Sequence, residues 1–423
     1  MNGKRLAAML LAAVLLLGLS ACGPRARKGS IYWLNDDPER NVAALALADR
    51  YERETGVPVK VITPAEGEYE SRLSVQMARR DAPTLFTVSG AEELEQWQPQ
   101  CLDLRGTKLA AALQPKTRLL RGENDSVYGL GHDTASFGLI VNTRLLERAG
   151  YRPEEIASFE DLRRVAEDIQ ARADALGFNA FTSAGLADGS TWRFTRQLFN
   201  LPVTLEYRDR PDAAGEPIRG TYLKQYRQLL DLYFDNSVRD AAAQPELGEE
   251  DARGEFTAGK AVFYQNGSWE YESLTAAGMD ADALTMIPLY IGAKGEQDQG
   301  LCTDVTGYWC VNQNAEPANL QATLDFLAWC AGDRDTARTL GLESAFYDPA
   351  GSENAFVRAD SALEAAGKQA LEWNLDALPD ERWERDAGRA LADYALSLDE
   401  ESWSRVRSAL VDGWAERARK TID

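Results

Sequence analysis

The chain is predicted to be an α/β protein whose mainly parallel sheets are flanked by helices and divided between two lobes. Three observations predict this. From residue 30 onward, short apolar runs alternate with segments of helical periodicity. That alternation is the pattern of βαβ units, whose crossovers lay helices on both faces of a parallel sheet. About 395 residues follow an N-terminal leader and tether, more than one hydrophobic core ordinarily serves. Hydrophobic residues make up 44% of the chain, ordinary for a folded protein, and beyond the leader no long apolar run recurs.

The leader comes first. Lys4 and Arg5 precede an apolar run from Leu6 to Leu19, the length of a signal-peptide core and short of the roughly 18–20 residues needed to span a bilayer. Small residues Ser20 and Ala21 directly before Cys22 resemble a bacterial lipobox. The resemblance implies a signal peptide over 1–21, diacylglycerol on the Cys22 sulfur and a lipid tether over 22–29. Two acyl chains at about 0.8 kcal/mol per buried CH₂ hold a protein at a membrane durably. The alternative is an ordinary secretory signal with a chance cysteine.

The folded elements follow in order. Ser30 to Leu34 reads as a strand stopped by Asn35-Asp36-Asp37-Pro38, and Val42, Leu45, Leu47, Ala48 and Tyr51 recur at helical spacing up to Thr55-Gly56. A second strand (57–62), a helix (69–80) and a third strand (84–88) repeat the unit. Ligands of such sheets sit at the carboxyl ends of strands, which places Asn35, Asp36, Ser89 and Gly90 on one rim. Residues 128–133 and 137–142 read as two strand-like pieces with a polar break between them. The stretch 145–177 is helical, with Phe159, Leu162, Val165, Ile169 and Ala173 in a stripe and Ser158 with Asp161 as a capping-box-like start. Further helices are expected over 192–199, 221–234, 251–258 and 315–331, a strand over 284–291, and almost unbroken helix from 362 onward.

Charge and residue usage narrow the chemistry. The formal charge is −21 and moves to −23 on removal of residues 1–21, which carry Lys4 and Arg5 and no acidic residue. Such a chain is repelled by nucleic acid and by anionic membrane surfaces, so no nucleic-acid partner is expected and attachment falls to the lipid. Arg25, Arg27 and Lys28 lie in the tether, placed to touch headgroups. The single histidine, His132, and cysteines without a CxxC pair make no metal site. No G-x-S-x-G context supports a triad, so His132 is read as a neutral hydrogen-bonding residue and no cofactor is expected. Cys101, Cys302, Cys310 and Cys330 allow three pairings. Cys302 and Cys310 would close a short loop for roughly 2–3 kcal/mol; the alternative is four buried thiols.

Four stretches together resemble the extracellular solute-binding proteins of ATP-driven sugar importers, the group containing maltose-binding protein. They are Tyr32-Trp33-Leu34-Asn35-Asp36 with Tyr51-Glu52-Arg53-Glu54-Thr55-Gly56-Val57; Tyr128 to Gly150, including Val141-Asn142-Thr143-Arg144-Leu145-Leu146; Phe256 to Phe263 with Asn266-Gly267-Ser268-Trp269; and Ala322 to Cys330. The resemblance implies a two-lobed periplasmic-binding-protein fold of the class II kind, hinged between lobes at 29–133 plus 309–345 and 136–306 plus 350–423. It departs at Ser344-Ala345-Phe346-Tyr347-Asp348, where an expected Pro-Phe pair is missing. It implies a monomeric, non-enzymatic receptor that captures a carbohydrate by hinge closure and delivers it to a membrane permease from the extracytoplasmic face of the cell membrane.

Sugars offer hydroxyls, which need several donors and acceptors, and apolar C–H faces, which stack on aromatic rings. Trp269 is therefore the leading candidate, followed by Glu270, with core packing as its alternative. Trp192 and Arg193 follow a Gly189-Ser190-Thr191 loop from which both could reach a ligand. Asn35 and Asp36 could bind hydroxyls or cap a helix, and Ser89 shares their rim. Asp133 sits where the chain crosses lobes and could accept two hydroxyl bonds. Tyr308 and Trp309, beside Cys310, line the cleft or pack the hinge. Trp33 is read as core, and Trp97, Trp329, Trp373, Trp383, Trp403 and Trp414 as structural residues on helices. Two rivals remain: a secreted glycoside hydrolase, which needs two carboxylates flanking the sugar, and a binding lipoprotein that feeds a sensor or carries a non-sugar solute.

Overall fold

A computed structural model describes residues 28–38, 40–65, 68–112, 119–340, 342–375 and 377–422. The leader 1–21, Cys22, Arg25 and Arg27 lie outside the described residues. Among the described residues, ten strands run in chain order: β1 (Ile31–Leu34), β2 (Val59–Ile62), β3 (Leu85–Val88), β4 (Leu119–Arg121), β5 (Val127–Asn142), β6 (Asn179–Phe181), β7 (Ala261–Gly267), β8 (Leu284–Ile287), β9 (Gln299–Val311) and β10 (Gln369–Leu371). The chain divides into two compact units, 1–133 with 306–347 and 134–305 with 348–423. It therefore passes from one unit to the other three times, twice within the long strands β5 and β9.

The first unit is built on parallel β2-β1-β3, with Ile31 opposite Val59 and Trp33 opposite Leu85. The end of β9 adds an antiparallel neighbour to β3, pairing Thr87 with Trp309 and Val88 with Tyr308. β3 is buried on both sides, so it reads as a continuous apolar run rather than an alternating one. Leu85 joins Trp33, Tyr51, Trp309 and Phe326 in one cluster, while Phe86 and Val88 join Leu34, Leu94 and Trp97 in another. Trp33 and Trp309 meet edge to face at 5.1 Å. The helix Asn41–Thr55 ends where expected, on Gly56 in the left-handed region.

In the second unit β5 pairs antiparallel with β7 and β8, and β6 runs parallel to β7. Leu139 and Val141 face one cluster and Ile140 the other, the two-residue period of a sheet with packed faces. The helix Phe159–Ala171 starts on Ser158, whose hydroxyl accepts the Asp161 N–H at 3.2 Å. Trp383, Trp403 and Trp414, on the C-terminal helices, are buried in this unit's core.

Four expectations change. The sheets are mixed, because the long strands enter antiparallel to their neighbours. Residues 128–133 and 137–142 are one strand, β5: the residues between them continue the strand rather than break it. The C-terminal region is interrupted by β10, and Trp373 lies on the irregular segment after it, not on a helix. Finally, Cys302 and Cys310 are both free, as are Cys101 and Cys330. They sit on one extended strand, so eight residues of strand rise separate them by about 26 Å, far beyond the roughly 7 Å a disulfide tolerates.

Candidate functional site

Two groups of the candidate residues gather, one in each unit. In the first unit, Asp36 follows the carboxyl end of β1 and is bonded by the Thr87 hydroxyl of β3, Oγ1 to Oδ1 at 2.7 Å. His132 on β5 completes the cluster, with its Nε2 3.7 Å from Asp36 Oδ2 and 3.4 Å from Thr87 Oγ1. The imidazole is seated by Trp309, 5.2 Å between centroids, and by Gly307. A Cβ on Gly307 would lie 2.8 Å from His132 Nε2 and 2.9 Å from Thr87 Cγ2, so only glycine admits the ring there. Tyr69 lies behind. Its hydroxyl accepts the Thr87 N–H at 2.6 Å, and burial, with the Asp36 carboxylate nearby, pushes its pKa well above the ordinary value. The Asp36 side chain keeps 21% of its surface exposed, enough to accept a further hydrogen bond.

Chemically this is a set of donors and acceptors rather than a nucleophile. Asp36 and Thr87 both approach the same imidazole nitrogen, and the threonine hydroxyl donates to the carboxylate. A catalytic relay instead needs the acid on one imidazole nitrogen and the nucleophile on the other. Among the described residues no group of three or more His, Cys, Asp or Glu side chains could hold a metal ion, and no helix is long and apolar enough to cross a membrane.

The neighbouring candidates in this unit have other surroundings. Asn35 is buried, and its amide donates to Asp37 O at 2.7 Å and Thr63 Oγ1 at 3.1 Å. Ser89 is exposed at the start of the helix Ala91–Trp97, its N–H on Glu93 Oε2 at 2.7 Å. Trp309 is core, and Tyr308 is half-buried against Gly129 and the Phe86 cluster. Asp133 ends the unit's first segment on β5, and its side chain lies outside the described ones.

In the second unit three indoles adjoin. Trp269, the residue before the helix Glu270–Ala276, is 40% exposed despite its size. It lies 6.2 Å from Trp192 at 37° and 6.4 Å from Trp373 at 87° between ring planes. Trp373 packs on Phe137 at 5.2 Å, and its indole N–H has no hydrogen-bond partner among the described residues. The two charged candidates beside these rings are turned inward. Arg193 is fully buried, donating to Gln265 O at 3.0 Å and to Ala184 O. Glu270 is 3% exposed and forms a bidentate pair with Arg253 at 2.7 and 2.9 Å. A guanidinium bonded to backbone carbonyls, and a carboxylate already bound by a guanidinium, have little capacity left for a ligand.

Sequence reasoning did not single out Thr87, Tyr69 or Trp373 for this chemistry. Thr87 sits inside an apolar strand with nothing to mark it, and only the register beside Trp309 brings it to His132. Trp373 lay in a segment read as helix.

Comparison with known proteins follows the same lines. The profile of the family described as bacterial extracellular solute-binding protein matches residues 46–347. The melibiose/raffinose/stachyose-binding protein MelE of Bacillus subtilis is 26% identical over 196 residues, 45% of each chain; the match thus spans under half the length of that relative. Among solved structures, apo RafE from Streptococcus pneumoniae matches with a TM-score of 0.65 at 16% identity, covering 93% of this chain and 99% of that one. RafE in complex with raffinose matches at 0.63 and 15%, over 91% and 99%. A Bacillus licheniformis sugar transporter in complex with stachyose gives 0.57 and 16%, over 90% and 99%. At these identities the structures speak for the fold: this chain shares the two-lobed α/β architecture of solute-binding proteins.

Proposed function

The chain belongs to the bacterial extracellular solute-binding proteins, and we propose that it is the carbohydrate receptor of an ATP-driven importer. It is held at the membrane by lipid on Cys22, captures a saccharide by closure about its three chain crossings, and presents it unaltered to a permease. The observation that carries this reading is the tryptophan trio of the second unit. A soluble chain ordinarily buries indoles, and a 40% exposed Trp269 flanked by Trp192 and Trp373 offers the apolar faces on which sugar C–H surfaces stack.

The polar cluster supplies the complementary chemistry. Asp36 accepts, with the Thr87 hydroxyl fixing one of its oxygens at 2.7 Å and the His132 imidazole alongside. Relatives named for melibiose, raffinose and stachyose support an oligosaccharide as cargo. The ligand stabilises the closed form to the extent that it binds that form better than the open one.

Thermal shift against melibiose, raffinose, stachyose, maltose and monosaccharides tests this directly. A saccharide at about 100 times its Kd should stabilise the folded chain by about 2.7 kcal/mol, with the sugar recovered intact afterwards. Hydrolysis of the sugar would make the chain a glycosidase instead. A chain unmoved by every saccharide but stabilised by another solute would end the carbohydrate reading.

A further inference from the structure

Where the Trp269 ring lies is decided by residues close to it in sequence, Gly267 two positions before and Glu270 directly after. A Cβ built on Gly267 would fall 2.1 Å from both Cη2 and Cζ3 of Trp269 and 2.4 Å from Cζ2. The six-membered ring of the indole therefore occupies the volume that any side chain at 267 would fill. Gly267 is not among the glycines with positive φ, so space rather than backbone conformation requires glycine here. The ring rests on bare backbone at the end of β7.

The other neighbour is fixed from below. Glu270, buried at 3% exposure, is gripped by Arg253 through both carboxylate oxygens and is 3.3 Å from the Tyr264 hydroxyl. Arg253 also reaches Glu249 and Glu250, at 3.3 and 2.6 Å. The Asn266 amide closes the network on Glu249 Oε1 at 3.0 Å and on Tyr264 Oη at 2.7 Å. The network thus ties the strand before Trp269 (Tyr264, Asn266), the residue after it (Glu270) and the neighbouring helix Glu249–Thr257. Buried bidentate carboxylate–guanidinium pairs are directional as well as strong, and breaking one leaves an uncompensated charge.

We propose that Gly267 and Glu270 are positioning residues for saccharide binding, which act through Trp269 by fixing its exposed ring before the ligand arrives. This rests on the stacking role given to Trp269 above. A platform already ordered in the free protein spares the ligand the entropy of immobilising a large side chain on binding. Glu270 then contributes to affinity without touching sugar, since both its oxygens are engaged by Arg253.

Titration calorimetry with the saccharide giving the largest thermal shift tests the proposal on Trp269→Ala, Gly267→Ala, Glu270→Gln and the two double variants. Trp269→Ala should weaken binding at least tenfold, Gly267→Ala about tenfold and Glu270→Gln several-fold. In the Trp269→Ala background both other substitutions should lose their effect, the signature of a coupled pair. Both should also alter the part of the tryptophan emission that Trp269→Phe removes. Equal weakening with and without Trp269 would make the two residues merely structural and overturn the proposal. So would unchanged affinity in both single variants while Trp269→Ala abolishes binding, with the stacking role left standing. An unaffected Trp269→Ala variant, or a wild-type chain that binds no saccharide, would remove the stacking role and the proposal together. If Gly267→Ala does not fold, Glu270→Gln decides.

Discussion

Asp36 shows how one residue's chemistry depends on its partners. On sequence it could have been a helix cap. In the structure capping of the following turn falls to Asp37, whose Oδ1 accepts the Arg40 N–H at 3.0 Å, while Asp36 is turned to Thr87 and His132. A carboxylate held this way has one orientation to offer a hydroxyl, and hydrogen bonds to charged groups contribute about 1.5–3 kcal/mol. Asp36→Ala is therefore expected to weaken saccharide binding by tenfold or more, with Asp36→Asn less affected, in calorimetric titrations. The melting temperature of both variants should stay within a few degrees of wild type, because the Asp36 side chain itself is partly exposed and solvent can replace it. A collapse in stability with unchanged affinity would assign Asp36 to the scaffold.

At the scale of elements, the start of β5 hangs on Asp103. Its carboxylate accepts the N–H groups of Val127 and Arg105 at 3.2 and 3.1 Å and pairs with the Arg105 guanidinium at 2.6 Å. The Arg105 hydrogen bond, together with the two backbone N–H groups, lowers its pKa to about 2. A carboxylate with a depressed folded-state pKa stabilises the native chain above its unfolded value, near 4, and loses that contribution as pH falls toward 2. Asp103→Asn should thus flatten the acid limb of a urea-denaturation series between about pH 4 and 2 and lower stability at pH 7. The side chain is 32% exposed, so solvent screening limits the effect to no more than about 1 kcal/mol. An unchanged slope over that range would show that the pair contributes nothing.

At the scale of the whole molecule, the crossings between units are the places where a mobile receptor would flex. Within the second unit, Asp360 on the helix Ala355–Ala365 meets both long strands close to where they leave it. Ser136 Oγ of β5 donates to Oδ2 at 3.1 Å, and Thr303 Oγ1 of β9 is 3.1 Å from Oδ1 and 2.9 Å from Ser136 Oγ. Ser136 is also tied to Ser268 through backbone and side chain, at 2.7 and 3.1 Å. Asp360→Ala should unpin both strands, costing about 1–2 kcal/mol for the polar groups left behind. It should also reduce the saccharide-induced change in radius of gyration seen by small-angle scattering, with Asp360→Asn restoring part of both. An Asp360→Ala variant that melts and compacts like wild type would show that the strands are fixed by their ladder hydrogen bonds alone.

Local periodicity by itself determined the α/β class, the alternation of strands and helices from Ile31 to Val88, the Gly56 stop and the Ser158 start. These are short-range consequences of apolar spacing and capping chemistry, and four ordered motifs were enough to place the chain in its family. What only the tertiary structure decided is contact between residues distant in the chain. Cys302 and Cys310 were eight positions apart and looked pairable, until an extended strand set them about 26 Å apart. Arg193 and Glu270 carried the charges expected of a ligand site, yet burial against Gln265 O and against Arg253 gave them internal partners. Thr87 and Trp373 joined the candidate groups through strand register and through a coil after β10, neither of which leaves a local trace. Which residues can be in a fold is written in nearest neighbours along the chain; which side chains stay free for a ligand depends on whether folding has already satisfied them.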